Sequence, residues 1–269
     1  NGIMSKIVFL DGYNLIHRSR AGFARGDNAI TYTFFRSLRS LIERLDPDHA
    51  YFVLEGVPIK RLKLDKKYKA NRAPVVDTSF YKQKDDIIEI MKMNFPIDVV
   101  RHPNYECDDV IAGLITQRHT NDHCIVVSSD TDFLQLYNTC ENVEIYNPVQ
   151  KKVRQKPPYD YVSWKALRGD AADNIAGFSG IGNKRAEALV TDPDRLNDFL
   201  NAKENRLLFE HNCEMIRFHD FSHDIDSIEH VRGNSNWSEV LQKFNKMEFF
   251  SITNQKSWNK FFSTFDKLS

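Results

Sequence analysis

Four short apolar runs do most to limit what this chain can fold into. Residues 6–10 (KIVFL), 50–54 (AYFVL), 97–100 (IDVV) and 124–127 (CIVV) are dominated by β-branched and aromatic side chains. Runs this short read as buried strands. Between them lie stretches with helical spacing. In residues 31–45 the apolar positions are Phe34, Phe35, Leu38, Leu41, Ile42 and Leu45, and the pattern stops before Pro47. Residues 87–93 and 105–118 also read as helices. Strands that alternate with helices build βαβ units, and hence a mostly parallel sheet flanked by helices. An α/β fold is expected. After Pro157-Pro158 the pattern turns helical, and Gly177, Gly180 and Gly182 interrupt it between two helices. The C-terminal stretch reads as mixed helix and loop without a motif.

Composition excludes several classes. A chain of 269 residues with 41% hydrophobic content can bury one large domain, alone or with an appendage. Lys+Arg and Asp+Glu are both 37, so a uniformly basic binder is excluded while a basic patch is not. Cys107, Cys124, Cys140 and Cys213 form no CxxC pair. Reduced thiols and a cytoplasmic location are therefore expected. No apolar stretch is long enough for a membrane span, so no membrane partner is expected. Asn1, Gly2 and Ile3, ahead of Met4, read as an expression remnant and are left out of the fold reading.

The acids sit where the strands stop. Asp11 follows the first run and Glu55 the second. Glu106, Asp108 and Asp109 open the helix after the third, and Asp130 and Asp132 follow the fourth. Ligands of open parallel sheets bind outside the carboxyl ends of the strands. Glu106 and Asp109 share a helix face by their three-residue spacing, as do Asp170 and Asp173. Nine gathered carboxylates repel one another unless cations neutralise them, and hard divalent ions with oxygen ligands suit that role. Each acid alone has a plainer reading as a turn residue or helix cap. The conjunction favours metal.

Residues 60–72 (KRLKLDKKYKANR) carry seven basic side chains against Asp65 alone. Lys60, Arg61, Lys66 and Lys67 read as phosphate contacts and Tyr68 as a base-stacking aromatic; a solvated basic face is the plainer alternative. Further along, Gly180 and Gly182 precede Lys184 and Arg185 at a helix start, where backbone N–H groups can approach a phosphate.

Five stretches occur in an order that resembles the bacterial and bacteriophage 5′-nucleases, meaning flap endonucleases and the 5′-nuclease domain of DNA polymerase I. They are FLDGYNLIHR (9–18), YKANR (68–72), YECDDVIAGL (105–114), SSDTDFLQL (128–136) and GDAADNIAGFSGIGNKRA (169–186). The resemblance implies a PIN-like core over residues 4–155, with a helical arch over about 73–104. It implies a helical DNA-binding region over 156–269, with a helix–three-turn–helix motif at about 169–190. It makes Asp11, Glu55, Glu106, Asp108, Asp109, Asp130, Asp132, Asp170 and Asp173 metal-site acids. Lys69 and Arg72 become catalytic cations over the scissile phosphate, and Gly180, Gly182, Lys184 and Arg185 the loop that grips duplex DNA, with a K⁺ ion. The family usually has Asp where Glu55 stands. The implied activity is 5′→3′ exonuclease and 5′-flap endonuclease on DNA flaps, ends and junctions in replication or repair. It uses two Mg²⁺ ions that Mn²⁺ can replace, and the enzyme is expected to be a monomer. Two alternatives stay open: a PIN-type ribonuclease or a nuclease acting on RNA–DNA hybrids, and a non-catalytic junction-binding module.

Overall fold

A computed structural model describes residues 4–75 and 77–268; Asn1, Gly2 and Ile3 lie outside the described residues, as does Val76 of the expected arch. The chain opens with β1 (Lys6–Asp11), α1 (Gly12–Arg18), α2 (Ala29–Leu45), β2 (His49–Val53), α3 (Ile59–Leu64), α4 (Thr78–Asn94) and β3 (Asp98–Arg101). Next come α5 (Cys107–Arg118), β4 (His123–Val127), α6 (Leu136–Thr139), β5 (Val143–Asn147) and β6 (Lys152–Val153). Four helices follow: α7 (Tyr161–Arg168), α8 (Asn183–Val190), α9 (Pro193–Leu200) and α10 (Lys203–Ile216). It closes with strand β7 (Glu229–Val231) and helices α11 (Trp237–Lys246), α12 (Phe250–Thr253) and α13 (Gln255–Ser263). None of these helices is long and apolar enough to cross a membrane.

The strands order as β6-β5-β4-β1-β2-β3-β7. The five from β5 to β3 are parallel, and β6 and β7 are short antiparallel edges. In register, Leu10 lies beside Phe52 and Val127, and Val53 beside Val100. The parallel strands therefore end side by side, at the edge where the acids stand.

Alternate residues feed two cores, as the pleat requires. Val8, Leu10, Phe52, Val99 and Val127 face α2 and α4, while Phe9, Val53, Val100 and Val126 face α5. Helix α2 forms because its apolar positions recur at helical spacing. It stops at Asp46, which is left-handed at φ 47° ahead of Pro47.

Two packing features bear on the expected organisation. The C-terminal helices, which fall within the helical region expected from residue 156, pack on the main core. Val240, Phe244, Ile252, Phe261 and Phe265 pack into the α2–α4 core, where the Phe35 ring lies 5.2 Å from Phe95 and 5.1 Å from Phe244. Helices α7–α10 form smaller cores of their own, around Tyr161, Trp164, Leu167 and Ala186 and, joined by Tyr68 and Leu62, around Val162, Ala166 and Met215. The span of the expected arch also contains sheet and core elements. Its strand β3 is paired between β2 and β7, and α4 buries Phe80, Ile87, Ile90 and Met91 in the main core.

Gly56 holds the turn after Glu55 against the α5 entrance. A Cβ there would lie 1.8 Å from the His102 carbonyl oxygen and 2.5 Å from that of Tyr105, both backbone atoms. Gly182, by contrast, has nothing within 4 Å of a built Cβ. Gly56→Ala is expected to cost about 3 kcal/mol by overpacking, a fall in thermal midpoint of roughly 6–10 °C. Gly182→Ala should cost less, about 1 kcal/mol or under, because Ala is only a poorer cap there. Calorimetry on both variants checks this, and equal midpoints would show that the close approach at Gly56 is not real.

Candidate metal centre

The acids reach one place because each sits on a local device that fixes its backbone. Asp11 ends β1 and caps α1, accepting from the Asn14 N–H at 3.4 Å. Asp130 accepts from the Asp132 N–H at 2.9 Å and starts the 3₁₀ turn Thr131–Gln135. Asp170 accepts from the Ala172 N–H at 3.1 Å and starts the turn Ala171–Asp173. Glu106 and Asp109 form a reciprocal capping box on α5. The cap reading is realised and leaves room for the metal reading, since a carboxylate has a second oxygen to spare.

Seven of the nine expected acids fall into groups whose ligand atoms lie within 4.8 Å of one another. Asp11 and Glu55 group with the thiol of Cys107, Asp108 with Asp130 and Asp132, and Asp132 again with Asp170 and Asp173. Asp132 is shared, so the second and third groups adjoin. They line a cavity of about 790 Å³ together with Lys69, Arg72, Glu106 and Lys165.

Glu106 and Asp109, the other two expected acids, stand outside these three groups and are engaged by protein cations. The Arg61 guanidinium binds Asp109 at 2.7 and 2.9 Å and Glu106 at 3.3 Å, and also donates to the carbonyls of Met215 and Arg217 at 2.8 Å. Asp109 further accepts from the His219 N–H at 2.7 Å. Glu106 also accepts from the Tyr68 hydroxyl at 2.8 Å and pairs with Lys69. Arg61 and Tyr68 are therefore corrected as DNA contacts. They are 4% and 7% exposed, so neither is open to a phosphate or a base. Lys60, Lys66 and Lys67 remain exposed.

Lys69 and Arg72 reach the site through a clasp between two loops. Lys69 is left-handed at φ 56°, and its N–H donates to the Asp173 carbonyl at 3.0 Å. Asn71 donates to the Ala171 carbonyl and Asn174 to that of Lys67, each at 2.8 Å. Arg72 pairs with Asp173. Lys165, which sequence reasoning missed, is 4% exposed and bridges Asp132 and Asp170, the latter at 2.9 Å. Its position on α7, five residues before Asp170, carries no spacing signal. Ser128 was also missed; its hydroxyl donates to Asp11 at 2.7 Å. Gly180 is left-handed at φ 77°, Gly182 caps α8, and Lys184 and Arg185 lie exposed on its first turn.

Two electrostatic regimes result. Burial works against ionisation of Glu106 and Asp170, but Lys69 and Arg61 outweigh it at the first and Lys165 at the second, so both carboxyls titrate low. Elsewhere burial wins. It raises Asp11 and Asp173, and with the Asp11 charge it pushes Glu55 up to about 8. Burial and Asp132 push Asp130 up to about 7; burial with Asp130 and Glu55 raises Asp108 well above the usual range. Among the described residues no hydrogen bond or ion pair reaches the Asp108 carboxylate. The protein's own cations thus satisfy one side of the cluster and leave the other short of positive charge. Such a donor set fits a hard divalent cation.

Known proteins resemble this chain in sequence and in fold. Residues 6–164 match the family model for the 5′-3′ exonuclease, N-terminal resolvase-like domain. The chain is 34% identical over 207 residues to DNA polymerase I of Treponema pallidum (strain Nichols), covering 68% of this chain but 20% of that protein. It is 33% identical over 203 residues to a 5′-3′ exonuclease of Aquifex aeolicus (strain VF5), covering 68% of each. The chain thus spans about a fifth of the polymerase relative. In fold it resembles a bacteriophage T5 flap endonuclease in a pseudo-enzyme–product complex with DNA and metal ions. The TM-score is 0.65 at 19% identity, over 97% of both chains.

The raised carboxyls predict how stability responds to pH. Between pH 7 and 8.5 the unfolded chain holds Glu55 ionised, whereas the folded chain still carries its proton up to about 8. The folded state then binds more protons, so unfolding free energy falls as pH rises. Glu106 and Asp170 are ionised in both states here and add no slope. In EDTA the thermal midpoint should fall across this window. Added Mn²⁺ should raise it more at pH 8.5 than at pH 7, because the ion binds the deprotonated acids. A flat EDTA profile with a pH-independent Mn²⁺ effect would contradict the assignment.

Proposed function

The chain belongs to the 5′-3′ exonuclease family, and on that premise we propose that it is a divalent-metal-dependent 5′→3′ exonuclease and 5′-flap endonuclease acting on DNA in replication or repair. The observation that carries this reading is the convergence of seven carboxyls from five separate segments into adjoining groups, with Lys69 and Arg72 at the rim. A binding module has no use for buried acids that burial drives towards protonation. Two Mg²⁺ ions, or Mn²⁺ in their place, are the proposed cofactors, held by Asp11, Glu55, Asp108, Asp130, Asp132, Asp170 and Asp173. When bound, such a pair supplies Lewis-acid stabilisation of the leaving oxygen and a water acidic enough to attack at neutral pH.

The chain's own residues do the rest. Asp11, Asp130 and Asp170 are fixed by their caps, so their free oxygens are preorganised. Lys69 and Arg72 approach from the clasped loops. There they neutralise charge developing on the scissile phosphate, exchanging part of their contact with Glu106 and Asp173 for phosphate oxygens. Lys165 screens Asp132 from Asp170 and yields oxygen donors as divalent charge enters. Away from the centre, Lys184 and Arg185 at the α8 start supply duplex phosphate contacts, with a K⁺ ion at the Gly180–Gly182 loop. The exposed Lys60, Lys66 and Lys67 extend the basic track. The protein is proposed to act as a monomer.

A 5′-labelled DNA flap, a matched RNA flap and an RNA–DNA hybrid, each incubated with Mg²⁺ and with EDTA, test the reading by product size. Cleavage of the DNA flap in Mg²⁺ and none in EDTA is expected. Asp130→Asn should slow single-turnover cleavage on the order of 100-fold or more, since an amide ligates metal poorly. DNA affinity should hold or rise as negative charge is removed. Wild-type turnover by pure Asp130→Asn would remove that carboxylate from the chemistry, and preference for RNA would move the substrate class.

A further inference from the structure

A cavity of about 770 Å³ lies between α2 and the turn that follows β5, and it shares no lining residue with the metal-centre cavity. Phe34, Leu38 and Leu41 of α2 line it with Leu15 of α1 and Tyr146 of β5. All five belong to the main apolar core. Val149, on the turn, also lines the cavity and is 55% exposed. Tyr146 is 4% exposed, and its buried hydroxyl has no hydrogen-bond partner among the described residues. Leaving such a hydroxyl unpartnered is costly, which is why buried polar groups are nearly always paired.

The charges around the cavity are one-sided. Arg18, Arg36, Arg44 and Lys151 line it against Glu43 alone. Three of these five are engaged within the protein: Arg18 donates to the Ser129 hydroxyl at 3.0 Å, Arg36 to the Tyr32 hydroxyl at 2.8 Å, and Glu43 pairs with Arg39 at 3.0 Å. Arg44 and Lys151 are exposed, and no hydrogen bond or ion pair engages either side chain among the described residues. None of the proposed DNA contacts, Lys60, Lys66, Lys67, Lys184 and Arg185, lines the cavity. An apolar lining with a few polar groups, in a cleft of about 300–1,000 Å³, is the make-up of a small-ligand site.

We propose that this cavity binds an amphiphilic organic anion. Its apolar body rests on Phe34, Leu38 and Leu41, a polar atom partners the Tyr146 hydroxyl, and its carboxylate, sulfonate or phosphate pairs with Arg44 and Lys151. The site stands whether or not the chain cleaves DNA. The plainer reading is an ordinary surface groove, which takes up apolar molecules without regard to their charge.

The test titrates the intact protein in EDTA with two fluorescent probes of nearly the same apolar body, anilinonaphthalene sulfonate and its uncharged analogue phenylnaphthylamine. The expected result is a single saturable site for the sulfonate, with the uncharged probe bound about tenfold more weakly or worse. Arg44→Glu combined with Lys151→Glu should weaken the sulfonate about tenfold or more and leave the uncharged probe within about threefold. Ser40→Trp, which puts a large side chain on an exposed position lining the cavity, should abolish binding of both. If the double variant does not fold by circular dichroism, Arg44→Gln with Lys151→Gln replaces it with the same direction expected. Equal affinity for the two probes, or sulfonate binding unchanged in both the charge variant and Ser40→Trp, overturns the proposal in favour of a plain groove. Displacement of the probe by 5′-flap DNA, with tenfold weaker flap binding in the charge variant, overturns it in favour of DNA.

Discussion

Mutual repulsion among carboxyls is the constraint around which this molecule is arranged. Parallel strands end at one edge, so β1, β2, β3 and β4 deliver their acids to the same place whether or not they repel. Folding must then offset the cost of burying like charges. The structure does so unevenly. Arg61, Lys69 and Lys165 are committed to Asp109, Glu106, Asp132 and Asp170, whereas Asp11, Glu55, Asp108 and Asp130 have no cation within ion-pair distance among the described residues.

Arg61 shows what the satisfied side contributes. Its guanidinium ties α3 to the start of α5 through Asp109 and Glu106, and to the end of α10 through two carbonyls. A buried bidentate pair of this kind is weak as net stabilisation but costly to break, because the surviving charge is left unpaired. Its role is positional. It sets the α7–α10 unit against the sheet edge, so that Asp170, Asp173 and Lys165 face Asp132 across the cavity. The acidic edge is thus made by two parts of the chain joined through charge, and the same join occupies oxygens of Glu106 and Asp109.

The strands were legible wherever burial on both faces wrote an unbroken apolar run, as in β1 and β4. Strand β5 carries the alternation Val143, Ile145 but follows a polar loop and went unread. Strand β7 is exposed along its length. Asp98 and His230 at 2.8 Å and Arg101 and Glu229 at 3.2 Å tie it to β3, and pairs more than a hundred residues apart leave no local trace. The acids were legible because their positions after strands follow from topology. Their division into satisfied and unsatisfied groups was not, because it depends on where Arg61 and Lys165 arrive in space. A basic run reads as a solvated or DNA-facing surface; burial of Arg61 and Tyr68 reverses that reading, and no spacing announces it. The C-terminal aromatics were visible as such, but their attachment to Phe35 and Phe95 is purely tertiary.

The central claim is that the acids gathered around Asp132 at this edge are a site for divalent charge. Crystals grown or soaked with Mn²⁺ and measured at its absorption edge test this most directly, because anomalous scattering locates the ion independently of the protein atoms. The account predicts one peak between Asp108, Asp130 and Asp132 and a second on the Asp132–Asp170–Asp173 side, with the Lys165 ammonium displaced from at least one of its two carboxylates. Saturating Mn²⁺ with no peak at either position, and Lys165 still bridging Asp132 and Asp170, would contradict it.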